Sequence, residues 1–80
     1  MVKLTLIVPT FNEEKVLARC LQSACDLVDE ILVVDSFSTD RTIEIAKGFG
    51  AKIVQREYEN SASQKNWAIP QAFNSWILLL

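Results

Sequence analysis

The chain has 80 residues, half of them hydrophobic and 22% charged, a globular composition in a size that buries only about 60–65% of its unfolded surface. A net charge of −2 and a pI near 4.9 argue against a nucleic-acid backbone as the main partner. No apolar run approaches the roughly 20 residues of a membrane span, and Pro9 interrupts the opening MVKLTLIVPT too soon for a secretion signal.

Strand and helix signals alternate along the chain. Lys3 to Val8 is an apolar, β-branched run. From Asn12 to about Cys25, apolar residues fall at Val16, Leu17, Cys20, Leu21 and Ala24, a one-sided helical spacing. Thr10 and Glu13 form a T-x-x-E capping box, with Asn12 as the alternative cap. Ile31 to Val34 reads as a second strand. Asp40 is placed to cap a second helix with Ile45, Ala46 and Phe49 on its buried face, and Gly50 is a left-handed stop. Ala51 to Arg56 is a third strand. Ser61 or Ser63 opens a third helix through Gln64, Trp67 and Ala68. Pro70 ends that helix by about Ile69, with a short tight turn after it. Trp76 to Leu80 is a fourth apolar run. Cys20 and Cys25 are five apart, neither a CxxC nor a zinc spacing. They read as small, partly buried thiols in a reducing compartment.

This alternation predicts a parallel sheet covered on both faces. Right-handed crossovers bring the loops after Val8, Val34 and Arg56 to one edge. The fourth run reads as a central strand with nothing beyond it, so the expectation is an incomplete domain whose missing part begins at that edge.

The stretch ILVVDSFSTDRT, residues 31–42, carries the clearest chemical signal. Asp35 ends a buried strand next to a helix start, where open α/β sheets bind small ligands. A fixed carboxylate there is a natural acceptor for the N3–H of a pyrimidine, in a charge-assisted bond of roughly 1.5–3 kcal/mol. It is equally suited to capping local backbone amides. After the first strand, Phe11 can stack on a base while Thr10 and Asn12 hydrogen-bond it, and a helix N-terminus favours phosphate. The plainer reading is capping by Thr10 and Asn12 with Phe11 as a staple. Asp40 reads as a cap and Arg41 as a solvated residue. Lys65 and Asn66 lie on a helix facing the third loop, where a lysine either neutralises a diphosphate or is a surface cation. Arg56 and Glu57 share that ambiguity, and Trp67 and Trp76 read as core. With Gly48 and Gly50 the only glycines, no dinucleotide or Walker loop exists. Without histidine there is no Ser-His-Asp or Cys-His set.

LTLIVPTFNEE (4–14), DEILVVDSFSTDRT (29–42), GAKIV (50–54), SASQKNWAI (61–69) and WILLL (76–80) together resemble the amino-terminal half of a family 2, GT-A fold glycosyltransferase. The resemblance implies a three-layer, Rossmann-like sheet of strand order 3-2-1-4. Residues 1–80 would be its nucleotide-sugar-binding part, with uridine diphosphate the expected nucleotide. Phe11 would stack on or flank the uracil, Pro9 and Thr10 would line base and ribose, and Glu13 would sit near the ribose. Asp35 would accept from the base N3–H, and Lys65 would lie near the diphosphate. Mg²⁺ or Mn²⁺, held by a DxD-type motif after the fourth strand, and a carboxylate base further on would act in the complete enzyme. The chain stops before both, so these 80 residues are expected to be inactive alone. The nearest subgroup glycosylates lipopolysaccharide core or other envelope glycans. That implies a saccharide or lipid-linked acceptor and a place in the cytoplasm at the periphery of the inner membrane. The exposed fourth strand is expected to favour self-association. The competing reading is a flavodoxin-like, receiver-type signalling domain. It would need a phosphorylatable Asp after the third strand, where Arg56 stands instead.

Overall fold

The computed structural model describes residues 3–58, 60–71 and 76–79; the side chains of Ser61, Lys65, Trp76, Leu78 and Leu79 lie outside that description. Four strands form one sheet: β1 (Leu4–Thr10), β2 (Glu30–Asp35), β3 (Lys52–Gln55) and β4 (Trp76–Leu79). Their spatial order is β3-β2-β1-β4 and every neighbouring pair is parallel.

Strand alternation sorts the apolar residues into two layers. Leu6, Val8, Ile31 and Val33 pack with Leu17 and Leu21 of α1 (Leu17–Ala24) and with Ala46 of α2 (Thr42–Gly48). Ile7, Leu32 and Val34 point the other way and pack with Ala68 of α3 (Ser61–Ala68). Both faces of β1 and β2 are therefore buried, which is why Leu6 to Val8 and Ile31 to Val34 are continuously apolar instead of alternating. Each fully buried aliphatic side chain stabilises the fold by about 1.5–3 kcal/mol. The sheet and the helices on its two faces make the three layers expected from the sequence.

Some boundaries differ from the sequence reading. β1 runs on to Thr10, and α1 begins at Leu17 instead of Asn12. The T-x-x-E box does not form, because the Thr10 hydroxyl donates to Asp35 Oδ1 at 2.7 Å, across the sheet. Asn12 takes a positive φ of 51°, and the Glu13 carbonyl accepts the amides of Val16 (3.1 Å) and Leu17 (2.9 Å) in a tight turn that leads into the helix. Val16 falls in that turn and is exposed. Asp40 does satisfy the start of α2, from one position outside the flanking Arg41, by accepting the Thr42 amide at 2.9 Å. Gly50 has φ +74° and reverses the chain after α2, and Pro70 lies in a single 3₁₀ turn, Ile69–Gln71, that follows α3. Both cysteines are free and half-buried. Trp67 packs on the α3 side of the core, with the Arg56 guanidinium 5.4 Å from its ring centroid.

Candidate functional site

The register places Thr10 beside Asp35 and Asp35 beside Gln55, so three polar side chains form a row across the carboxyl ends of β1, β2 and β3. Asp35 is completely buried and every lone-pair direction of its carboxylate is engaged. Oδ1 accepts from the hydroxyls of Thr10 and Ser38. Oδ2 accepts from the Ser38 amide at 2.8 Å and from Gln55 Nε2 at 3.3 Å. Burial pushes the carboxyl pKa up. The hydrogen bonds from Ser38, Thr10 and Gln55 push it down further, and the net result lies below the ordinary 3.8.

Those bonds shape the loop after β2. Phe37 is held at φ +59°, an uncommon conformation for a bulky residue, and Ser38 folds back onto the carboxylate. Ser38 Oγ also accepts the Asn12 amide at 2.8 Å, and Asn12 Oδ1 accepts the Thr39 amide at 2.8 Å. The Glu13 amide donates to Thr42 Oγ1 at 2.8 Å and the Glu14 amide to Asp40 Oδ2 at 3.2 Å. Asp40 is pushed up by desolvation and down further by the Thr42 hydroxyl and amide and the Glu14 amide, ending below its ordinary value. The loops after β1 and β2 are thus tied together. Asn12 gives its amide and its side-chain oxygen to that tie, and Asp40 joins it through Oδ2.

Ser36, one residue past Asp35, turns to the opposite face and accepts from Gln64 Nε2 of α3 at 3.0 Å. It opens onto a recess of about 180 Å³ lined by Pro9, Thr10, Phe11, Glu13, Ser36 and Tyr58. A wider hollow of about 440 Å³ shares Phe11, Ser36 and Tyr58 and adds Glu57. Phe11 and Tyr58 are 57% and 55% exposed, so two aromatic rings stand at the rim of a shallow site with a serine in its lining. Small-molecule sites combine such apolar surfaces with a few placed polar groups. Pro9, Thr10, Phe11 and Glu13, all expected here from the sequence, do line the recess. Asp35 lies behind it, not in its wall. Lys65 is on α3, but its side chain is outside the described residues.

Sequence reasoning missed Ser36 and Tyr58. The signal for Ser36 was available: a residue following an inward-pointing Asp35 must face the other way. Tyr58 was an aromatic just beyond the third strand, at the edge where the loops meet. Among the described residues, no group of three or more Asp, Glu or Cys side chains gathers to hold a metal ion. The described part of the chain therefore offers no fit for Mg²⁺ or Mn²⁺. No helix of the described residues is long and apolar enough to cross a membrane.

The parallel β3-β2-β1-β4 sheet with helices on both faces has the arrangement of a GT-A type glycosyltransferase fold. Glucosyl-3-phosphoglycerate synthase from Mycobacterium tuberculosis, solved with Mn²⁺, UDP and glucosyl-3-phosphoglycerate, superposes with a TM-score of 0.84 at 24% identity. The match covers 99% of this chain and 33% of that one, and at this identity it shows the fold alone. The chain belongs to glycosyl transferase family 2, whose model matches residues 5–80. It is 38% identical over 78 residues to an uncharacterized glycosyltransferase of Rickettsia typhi, covering 98% of this chain and 27% of the relative. It is 42% identical over 59 residues to a glucosyl-3-phosphoglycerate synthase of Petrotoga mobilis, covering 65% of this chain and 18% of that enzyme. The chain thus spans about a quarter of the Rickettsia relative's length and less of the Petrotoga enzyme's. The family match removes the receiver-type reading.

Proposed function

We propose that the carboxyl-edge recess receives the uridine end of a UDP-sugar, and that this chain is the donor-binding part of a glycosyltransferase. The observation that carries the reading is the pair of half-exposed rings, Phe11 and Tyr58, flanking Ser36 in a recess of nucleobase scale. In this reading Phe11 stacks on the uracil, Pro9 and Thr10 line base and ribose, Glu13 sits at the ribose and Lys65 lies toward the diphosphate. Asp35 belongs to the site as the anchor of Thr10 and Ser38. A direct bond from the base N3–H would require it to exchange the Gln55 contact, the longest of its four at 3.3 Å. The UDP named in the Mycobacterium structure supports the choice of nucleotide.

The remaining steps are proposals about the complete enzyme. Mg²⁺ or Mn²⁺ and the catalytic base come from residues outside these 80. The acceptor is a saccharide or lipid-linked envelope glycan, and the enzyme works in the cytoplasm at the inner-membrane surface. The 80 residues alone transfer no sugar.

The test is a titration of the protein with UDP followed by NMR. A millimolar dissociation constant, about −4 kcal/mol, is expected, with amide shifts at Thr10, Phe11, Ser36 and Tyr58. Phe11→Ala should weaken binding severalfold. Absence of shifts at these residues would reject the reading.

A further inference from the structure

Gln64 is buried to 1% exposure, and its Oε1 meets no donor among the described residues. Its Nε2 donates to Ser36 Oγ at 3.0 Å. The reversed amide would place oxygen on Ser36 but bury an NH₂ group with neither hydrogen bonded. One orphan acceptor is the smaller cost. Ser36 Oγ therefore accepts from α3, and its own hydrogen must point elsewhere. None of the described residues accepts it, and the open side of Ser36 is the recess bounded by Phe11 and Tyr58.

We infer that Gln64 is a positioning residue that sets the Ser36 hydroxyl as a hydrogen-bond donor into the recess, selecting a ligand edge that presents an acceptor oxygen there. The flanking rings fit a planar heterocycle better than a phosphate, so that oxygen is a ring carbonyl of the base. The inference rests on the nucleotide reading of the recess. It assigns the polarity of the contact to a residue on a different element, which never touches the ligand.

The test compares UDP and uridine binding by NMR titration for the wild type and for Ser36→Ala, Gln64→Leu and Gln64→Glu, with a thermal melt of each. A glutamate at position 64 keeps the shape, and burial favours its neutral form, so the titrations are run over a range of pH. Once ionised it only accepts, draws the Ser36 hydrogen toward itself and turns oxygen lone pairs to the ligand. Ser36→Ala should weaken UDP and uridine alike, by about three- to tenfold. Gln64→Glu should weaken both at least as much, yet add no further loss in the Ser36→Ala background. Should Gln64→Glu melt below the assay temperature, Gln64→Leu carries the test, with about a threefold loss that also vanishes in that background. A loss of equal size with Ser36 already removed indicates a general structural role and overturns the inference. So does wild-type affinity in the Gln64 variants, or a Ser36→Ala effect on UDP that uridine does not share, which would place the contact at phosphate. A wild type that binds neither ligand overturns the nucleotide reading itself, and this inference with it.

Discussion

Replacing Asp35 tests the centre of the polar row. Four donors converge on its carboxylate, but they do not lose equally when it is removed. Gln55 is exposed, so water can satisfy its amide. The Ser38 hydroxyl can rotate. The Ser38 amide cannot, and Thr10 is only 4% exposed. One buried and one partly buried donor left unpaired at about 1–3 kcal/mol each put the cost of Asp35→Ala at about 2–6 kcal/mol. A chain of this size has a total stability of about 4–12 kcal/mol, so the variant should melt at least about 10 °C lower or fail to fold. Asp35→Asn keeps the shape and is the tractable variant. Its NH₂ group must face either the Ser38 amide, donor against donor, or Ser38 Oγ, which already accepts from Asn12. A loss of about 1–3 kcal/mol follows. The pH dependence has a definite sign. The folded carboxyl titrates below the ordinary 3.8, so its contribution is complete above that value and is lost as pH falls through the lower folded value. Urea unfolding across the acid range should show a shallower acid loss for Asp35→Asn than for the wild type. Asp35→Ala within about 0.5 kcal/mol of the wild type would refute the accounting of its four bonds.

Other outcomes follow from single features. Phe37 is held at φ +59° with its ring largely exposed, so Phe37→Gly should leave stability unchanged or raise it by up to about 1 kcal/mol, read by denaturant midpoint. Gly50→Ala meets no atom within 4 Å, so only the φ of +74° resists it; a loss of about 1 kcal/mol is expected in the same assay. β4 pairs with β1 on one side only and its sequence is apolar, a template for pairing with another chain. Sedimentation of the 80-residue chain should show self-association, and a clean monomer at high micromolar concentration would contradict this. Assay of sugar transfer by the same material should give no turnover above an Asp35→Ala control.

The strands were legible because both faces of β1 and β2 are buried, which leaves an apolar run in each, Leu6 to Val8 and Ile31 to Val34. The stop signals were legible because Gly50 and Pro70 act through their own backbone. The start of α1 was not. Thr10 and Glu13 carry a local capping pattern, but the competing partner of Thr10 is Asp35, 25 residues away, and nothing in residues 10–13 announces it. The site divided along the same line. Residues after β1 could be placed from position, because the loop leads directly from a strand end. The two possible roles of Asp35 turned on which face it occupies. The sequence contained that answer in principle, since Ile31 and Val33 share its parity, but assigning that parity to the α1 and α2 side required knowing where the helices sit.

Adjacent residues at the end of β2 therefore carry separate duties. Asp35 faces the α1 and α2 layer and ties Thr10, Ser38 and Gln55 into one unit. Ser36 faces α3 and the recess. Ser36 is the first residue past β2, yet its amide still donates to the Thr10 carbonyl at 2.9 Å, so the strand's alternation carries over to it and the two side chains leave on opposite faces. The two duties should come apart experimentally. Asp35→Asn should weaken UDP binding only as far as it loosens the loops, so its deficit should shrink when the titration is run well below the variant's melting temperature. Ser36→Ala leaves the polar row intact but strips the buried Gln64 Nε2 of its partner, so it should cost about 1–3 kcal/mol of stability, at least about 4 °C in melting temperature. Its binding deficit should persist at every temperature where the protein is folded. If Asp35→Asn instead loses UDP completely while still fully folded, the carboxylate contacts the base after all, and the Gln55 bond is the one it releases to do so.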